Sequence, residues 1–364
     1  MTAAAPRTRR TSAAAATAAW RNALKRRLHN AQRAAAASLY GSATQGGGAR
    51  AYHDRYLFCS GAYDGKVNLY SAQQMELLMC YQITAMGLAR NINAVRFTSD
   101  GSRILAATTA RRLAVIDVER GEQVMTYDNC AFNGRDRASL AADPICPNMA
   151  VCSCVNGKGL TLFDLRMPLP LDFVYDLHNN IIRDLLFLHS SWPFVRSHQS
   201  TVLSLSVDGV SKVTTLDGRY LHGFEVGHGA NSVTATPEAY GSGAEDGFYS
   251  VLLVGGDAVS GYVPDVGVQE RLREHGDHPV WKMRYTSNGG LLYTACDRGV
   301  VRRYRRYPDR HEYLGEVYWH KGDIQDMDLS PYDEYLITAS KDRSVGVLPL
   351  GPPNHGWTEY CELS

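Results

Sequence analysis

The chain has almost no excess charge and no long apolar run. Its 364 residues include 38 Lys and Arg against 37 Asp and Glu, so net charge favours no class of partner. No apolar run approaches the roughly 18 residues of a membrane span, so we expect no membrane role. Eight Cys are scattered, without the dense spacing of a secreted disulfide scaffold. We therefore expect buried thiols in an intracellular protein of the nucleus or cytoplasm.

Motifs for catalysis and cofactor binding are also missing. The sequence has no phosphate loop, dinucleotide fingerprint, nucleophile elbow or HExxH motif. Cys152 and Cys154 alternate on one predicted strand, but no CxxC or HxxxH spacing supplies further ligands. We therefore predict no enzyme activity, no cofactor and no metal site.

Acidic residues are missing from the first 50 positions. Nine cations precede the first acid, Asp54, and they lie among Ala, Ser and Thr. This composition separates a basic extension, residues 1–50, from a domain at 51–364. Many Ala and no Gly or Pro between residues 13 and 37 favour a short α-helix.

Apolar side chains follow one face of this predicted helix, beginning with Trp20, Leu24 and Leu28. Three interpretations remain open. The helix packs on the domain or is partly disordered, it belongs to an organelle transit peptide, or the Trp20/Leu24/Leu28 face docks a partner.

Short apolar runs separated by turns fill the rest of the chain. In Asp323–Leu350 three runs alternate with turns at 330–333 and 341–343, which predicts an antiparallel meander. One meander cannot bury its own faces, so repeats are expected. Anchors near the end of each third strand are spaced by 46, 47, 52, 47, 42 and 44 residues; they are Tyr70, Ile116, Phe163, Thr215, Tyr262, Tyr304 and Leu348. This period predicts an all-β fold, a seven-bladed β-propeller.

Several turns resemble those of the WD40-repeat family, notably 97–101, 329–331 and 339–345. The resemblance covers roughly residues 55–364. Leu348 and the other anchors replace the family's Trp, so its His–Ser/Thr–Asp–Trp hydrogen-bond set cannot be complete, and we expect stability to rest on apolar packing. The first unit lacks an obvious first strand. Either residues 38–41 or 357–363 could close the ring, and we favour the C-terminal segment.

Phe163-Asp164-Leu165-Arg166 ends the third strand of the third unit. In the WD40 family, an aromatic-Asp-x-Arg sequence at this place resembles the motif by which substrate receptors of the cullin-4 ubiquitin ligase contact the adaptor DDB1. Such receptors often carry a docking helix ahead of the propeller. The resemblance implies a non-enzymatic scaffold or adaptor in which Phe163, Asp164 and Arg166 contact a DDB1-like partner.

A second cluster supports an alternative. Two pairs of cations, each followed by a Tyr, lie in one predicted strand: Arg302, Arg303, Arg305 and Arg306. Together with the basic extension, they would suit RNA or a ribonucleoprotein through phosphate attraction and base stacking. No Phe-Arg-Arg-Gly motif is present, so the resemblance does not extend to phosphoinositide-binding propellers.

Overall fold

The computed structural model describes residues 57–350 except 72–73, 84–90, 133–138, 189–191, 193–194, 196–199, 238–249 and 265. All regular structure in this part of the chain is β-strand, with no α-helix. The predicted helix near 13–37 and both candidate closing segments lie outside the described residues.

The strands form seven antiparallel sheets, one for each predicted blade. Blades 1 and 2 contain β1 (Leu57–Gly61), β2 (Lys66–Ser71), β3 (Glu76–Gln82), β4 (Ile92–Phe97), β5 (Arg103–Thr108), β6 (Arg112–Asp117) and β7 (Glu122–Tyr127). Blades 3 and 4 contain β8 (Leu140–Ala142), β9 (Met149–Ser153), β10 (Leu160–Asp164), β11 (Asp172–Val174), β12 (Ile182–Leu188), β13 (Thr201–Ser206), β14 (Val210–Thr215) and β15 (Tyr220–Glu225). Blades 5 to 7 contain β16 (Ala230–Ala235), β17 (Leu252–Gly256), β18 (Val259–Val263), β19 (Gly267–Leu272), β20 (Val280–Tyr285), β21 (Leu291–Cys296), β22 (Val300–Arg306), β23 (His311–Trp319), β24 (Ile324–Leu329), β25 (Tyr335–Ser340) and β26 (Val345–Pro349). The predicted seven-bladed propeller is confirmed.

The first strands of blades 2 to 7 contact one another in sequence and surround a central channel. We call the face that carries the first-to-second and third-to-fourth strand connections the lower face, and the opposite face the upper face. Blades 1 and 7 show three strands each among the described residues, and the other five show four.

Five first strands carry a β-bulge at the same place, one residue after the strand begins. A bulge adds one residue and increases the local twist. The bulged residues are Asn93, Arg183, Asn231, Trp281 and Gln325. The bulges therefore place five hydrogen-bonding side chains at one level of the ring, near the upper face.

Apolar side chains pack between neighbouring blades. Six buried clusters join blades 1 and 2, 2 and 3, 3 and 4, 4 and 5, 5 and 6, and 6 and 7. The described residues form no corresponding cluster between blades 7 and 1. A sheet buries both faces only when both neighbours pack on it, so this seam differs from the other six.

Tyrosine hydroxyls replace the missing Trp at three anchors. The hydroxyl of Tyr304 lies 3.0 Å from Nε2 of His275, and that of Tyr262 lies 2.8 Å from Nε2 of His222. Ser60 donates to the hydroxyl of Tyr70 at 3.3 Å. The blades are thus held by polar contacts as well as by apolar packing, which corrects the expectation from the sequence.

Histidines before the first strands add further polar contacts. His320 bonds both Asp342 (3.1 Å) and Thr338 (2.7 Å). These residues are three of the four members of the family's His–Ser/Thr–Asp–Trp hydrogen-bond set. His178 bonds Ser204 at 2.8 Å.

One buried ion pair ties three first strands together. Nζ of Lys282 on β20 lies 2.8 and 2.9 Å from the carboxylate oxygens of Asp184 on β12. The same carboxylate accepts bonds from the hydroxyl of Ser232 and the amide of Val233 on β16. Burial opposes the charge of Asp184, but Lys282 and Arg284 outweigh it and hold its pKa below the usual range.

Replacing Lys282 tests this ion pair. We expect Lys282→Met to lower the free energy of unfolding by about 3–5 kcal/mol, because it leaves the Asp184 carboxylate buried without its cation. The matched control is Lys341→Met, which breaks the more exposed ion pair with Asp323 and should cost under about 1 kcal/mol. Urea denaturation measures both, and equal effects would contradict the assignment.

Acidification tests the buried histidines. Burial lowers the pKa of His178 and of His275 to about 4, below the roughly 6.5 of an unfolded His. The unfolded chain therefore binds protons first as the pH falls, and stability present above pH 6.5 is lost between about 6.5 and 4. We expect a loss of about 2 kcal/mol per residue at pH 5.

Urea midpoints at pH 7.5 and 5 measure this loss. His178→Asn loses the Ser204 contact at every pH, so the informative quantity is the difference between the two pH values. This difference should shrink in His178→Asn and shrink further when His275→Asn is added. An unchanged difference in the double variant would show that other groups cause the pH dependence.

Candidate protein-docking face

The predicted motif lies at the lower end of blade 3, where β10 ends. Phe163 is fully buried, and its ring packs against Tyr127 of blade 2 with centroids 4.9 Å apart. Asp164 is the last residue of the strand, and Arg166 follows in the connection to β11. Phe163 therefore anchors the strand in the core, while Asp164 and Arg166 are presented at its end.

Arg166 is held by Asp164 in a bidentate arrangement. Nε of Arg166 donates to Oδ1 at 2.8 Å, and its terminal nitrogen donates to Oδ2 at 2.6 Å. The backbone amide of Arg166 also donates to Oδ1, and these bonds hold the pKa of Asp164 below its usual range. The arginine side chain is still 65% exposed. The guanidinium is thus oriented by its neighbour and open to a partner.

Two lower-face connections of blade 3 are joined at this site. The amide of Leu165 donates to the carbonyl of Asn148, which links the connection after β10 to the one after β8. Asp143, itself buried, accepts bonds from the amides of Ile145 and Cys146 and from the hydroxyl of Ser200. Backbone contacts therefore hold both connections in defined positions.

Large apolar side chains are exposed on these two connections. Ile145 is 79% exposed and Leu169 71%, and Met167 and Leu171 are also exposed. Single exposed apolar side chains are ordinary, but a group at one end of one blade is typical of an interaction surface. We call Ile145, Arg166, Met167, Leu169 and Leu171 the blade 3 surface. The sequence pattern indicates Arg166 but not the apolar members, because their exposure is a property of the fold and Ile145 reaches this end of the blade on a separate connection.

The arginine-rich strand does not form a continuous basic strip. β22 buries Arg302 and Arg306, which are 8% and 5% exposed. Arg302 contacts Glu316 at 3.1 Å, and Arg303 is half-buried. Only Arg305 of the four is exposed. β22 thus buries two of its four cations and leaves one exposed, so this strand offers few contacts to RNA phosphates.

The predicted docking residues of the extension, Trp20, Leu24 and Leu28, lie outside the described residues. In the described part of the chain, no group of three or more His, Cys, Asp and Glu residues is arranged to hold a metal ion. No helix in that part has the length and apolar character that a membrane crossing requires.

Cysteines follow the predicted burial only in part. Cys130, Cys152, Cys154 and Cys296 are buried free thiols, and burial raises the pKa of Cys152 well above its usual range. Cys80 is exposed, so the expectation of uniformly buried thiols is wrong for this residue. Cys80 lies on β3, the outer strand of blade 1, where alternate side chains face solvent.

Comparison with known proteins agrees with the architecture. Residues 312–347 match the family model of the WD domain, G-beta repeat. A search of curated proteins found no match to the chain. The matched repeat and the seven blades together support a WD40-repeat propeller.

Tyr127 connects the core to the blade 3 surface, and its removal can be tested. Its hydroxyl donates to the carbonyl of Met167 at 2.8 Å. We expect Tyr127→Phe to cost about 1 kcal/mol of unfolding free energy, because a partly buried carbonyl loses its donor. Hydrogen exchange at 165–171 should also accelerate. Tyr63→Phe, at a tyrosine 57% exposed, is the control and should change neither quantity.

Proposed function

We propose that this WD40-repeat propeller is a non-enzymatic scaffold whose blade 3 surface docks an adaptor protein, the DDB1 subunit of the cullin-4 ubiquitin ligase. WD40 propellers generally bind other proteins and generally lack enzymatic activity. In this proposal the chain is a substrate receptor, and loops elsewhere on the ring hold the protein to be ubiquitinated.

The observation that carries the proposal is Arg166, oriented by Asp164 at the same end of blade 3 as four exposed apolar side chains. Interface cores favour Arg together with large apolar residues that lose water on binding. Because the two connections are held by backbone hydrogen bonds, little conformational entropy is lost when a partner binds. An Arg in a fixed position can donate to a partner carboxylate or to backbone carbonyls.

The predicted helix of the extension supplies a second contact in this proposal. Its Trp20/Leu24/Leu28 face would enter an apolar groove of the same adaptor, as amphipathic helices do in many complexes. Two separate contacts on one partner raise the apparent affinity beyond that of either contact alone.

Binding of the purified full chain to purified DDB1 tests the proposal. We expect Arg166→Ala and Leu169→Asp each to weaken binding at least tenfold, measured by biolayer interferometry, with an unchanged thermal midpoint. Arg120→Ala is the matched control, because Arg120 pairs with Asp117 at the end of the corresponding strand of blade 2. Its affinity should equal that of the unchanged chain.

The triple variant Trp20→Ala, Leu24→Ala and Leu28→Ala should also bind more weakly. Wild-type affinity in both Arg166→Ala and Leu169→Asp would exclude the blade 3 surface as the docking site. Absence of DDB1 binding by the unchanged chain would exclude this adaptor.

A further inference from the structure

The seam between blades 7 and 1 has half-exposed faces on both sides. The second strands of blades 2 to 6 are buried along almost their entire length. In contrast, every residue of β1 is only half-buried. In β25, Leu336 and Thr338 are buried against blade 6, whereas the alternating Ile337 and Ala339 are half-buried. Among the described residues, the seam thus lacks an apolar layer that the other interfaces have.

Strand order identifies what the seam lacks. β1 is followed by a tight turn and β2, as second strands are in other blades, and it contacts β4, the first strand of blade 2. Among the described residues, β1 pairs only with β2. Its other edge lies where the first strand of blade 1 belongs. An unpaired strand edge presents backbone donors and acceptors to any extended chain.

A cavity of about 1110 Å³ joins this place to the central channel, where its lining reaches Arg183 and Lys282. Its walls include Phe58 and Ser60 of β1, Val95 of β4, and Ile337 and Ala339 of β25. At its channel side, Arg96 of blade 2 reaches Asp326 of blade 7 with a nitrogen–oxygen distance of 3.2 Å. The cavity therefore has apolar side walls, one strand edge and a charged floor.

The five bulged first strands show what fits such a place. Each has apolar side chains at its first, fourth and sixth residues, as in Ile92, Val95 and Phe97 of β4. β12, β16, β20 and β24 share this arrangement. In these strands the first and fourth apolar residues belong to the clusters between blades.

Residues that precede β1 do not carry this arrangement. Connections from first to second strands range from five residues, between Phe97 and Arg103, to 16 residues, between Ala235 and Leu252. By that spacing, a first strand for blade 1 would end between residues 40 and 51. No six-residue segment that ends there has apolar residues at the first, fourth and sixth places, and 46–48 are all Gly. Glycine weakens a strand and has no side chain to pack.

The C-terminal segment fits a different place. Connections from third to fourth strands contain three to seven residues, as between Val263 and Gly267 or Asp164 and Asp172. A strand that follows Pro349 by that spacing begins between residues 353 and 357. This spacing favours Trp357–Leu363 as the fourth strand of blade 7, which leaves the first strand of blade 1 unassigned.

We propose that the seam accepts a β-strand from another protein, which pairs with β1 and completes blade 1. The partner segment is extended, about six residues long, with apolar side chains at its first, fourth and sixth places. Main-chain hydrogen bonds to β1 would supply affinity, and the apolar walls would select the sequence. This acceptor is separate from the blade 3 surface, so either can fail without the other.

The probe is a peptide copied from β4, the first strand of blade 2. We expect fluorescein-labelled peptide 91–98 to bind the purified full chain in an anisotropy titration. The same peptide with Ile92→Ser, Val95→Ser and Phe97→Ser should bind at least tenfold more weakly. Ile337→Lys in the protein should also weaken binding tenfold. Val268→Lys, at an exposed position on the outer strand of blade 5, is the control and should leave binding unchanged.

Hydrogen exchange on the unaltered full chain gives a readout that does not depend on variants. Of the amides of 57–61, those that do not bond β2 should exchange fast in the free chain and slow at least tenfold with the peptide, whereas those of β13 should not change. Slow exchange of these free-edge amides without peptide would show that the chain fills the seam itself. A dimer that the peptide dissociates would show that a second copy fills it. Either result, or equal binding of both peptides, overturns the proposal.

Discussion

Burial of both faces of every sheet is the constraint on which this structure depends. A blade buries its two faces only between two neighbours, and six apolar clusters achieve this in series from blade 1 to blade 7. The ring form follows, because a row of blades would leave two apolar faces in water. Among the described residues, this constraint is least satisfied at the seam between blades 7 and 1. There β1 is half-buried along its length, and so are alternate residues of β25.

Polar contacts supplement the apolar clusters at the two ends of the blades. Near the channel, Asp184 and Lys282 join three first strands, and Arg96 with Asp326 spans the seam. Farther out, tyrosine hydroxyls and histidines replace the hydrogen bonds that the family obtains from Trp. Because Tyr carries its donor at the tip of a rigid ring, it can reach a buried histidine while its ring remains in the core. These blades therefore use other residues than the family's Trp for the same type of contact.

Rigidity explains why a ring of this kind suits interaction with proteins. The blade 3 surface is built on two connections that backbone hydrogen bonds hold together, with Phe163 and Tyr127 in the core beneath them. A surface fixed in this way loses little entropy when a partner binds. The proposed docking surface and the proposed strand acceptor lie in different blades, so binding at one would not block the other.

The sequence alone determined the architecture, because the spacing of the anchors from Tyr70 to Leu348 reflects a repeated strand count that each blade must satisfy. It also determined that Arg166 directly follows the end of a strand, since Asp164 and the following turn mark that end. Only the tertiary structure decided which cations are exposed. Arg302 and Arg306 are buried because strand alternation and the neighbouring sheet set their direction, and sequence order does not reveal either. It likewise decided that Ile145 and Leu169 share one end of blade 3, because the pairing of β8, β9 and β10 brings residues 24 positions apart to that end. Composition and spacing are local properties that the chain carries in any state, whereas exposure and proximity are properties of the closed ring.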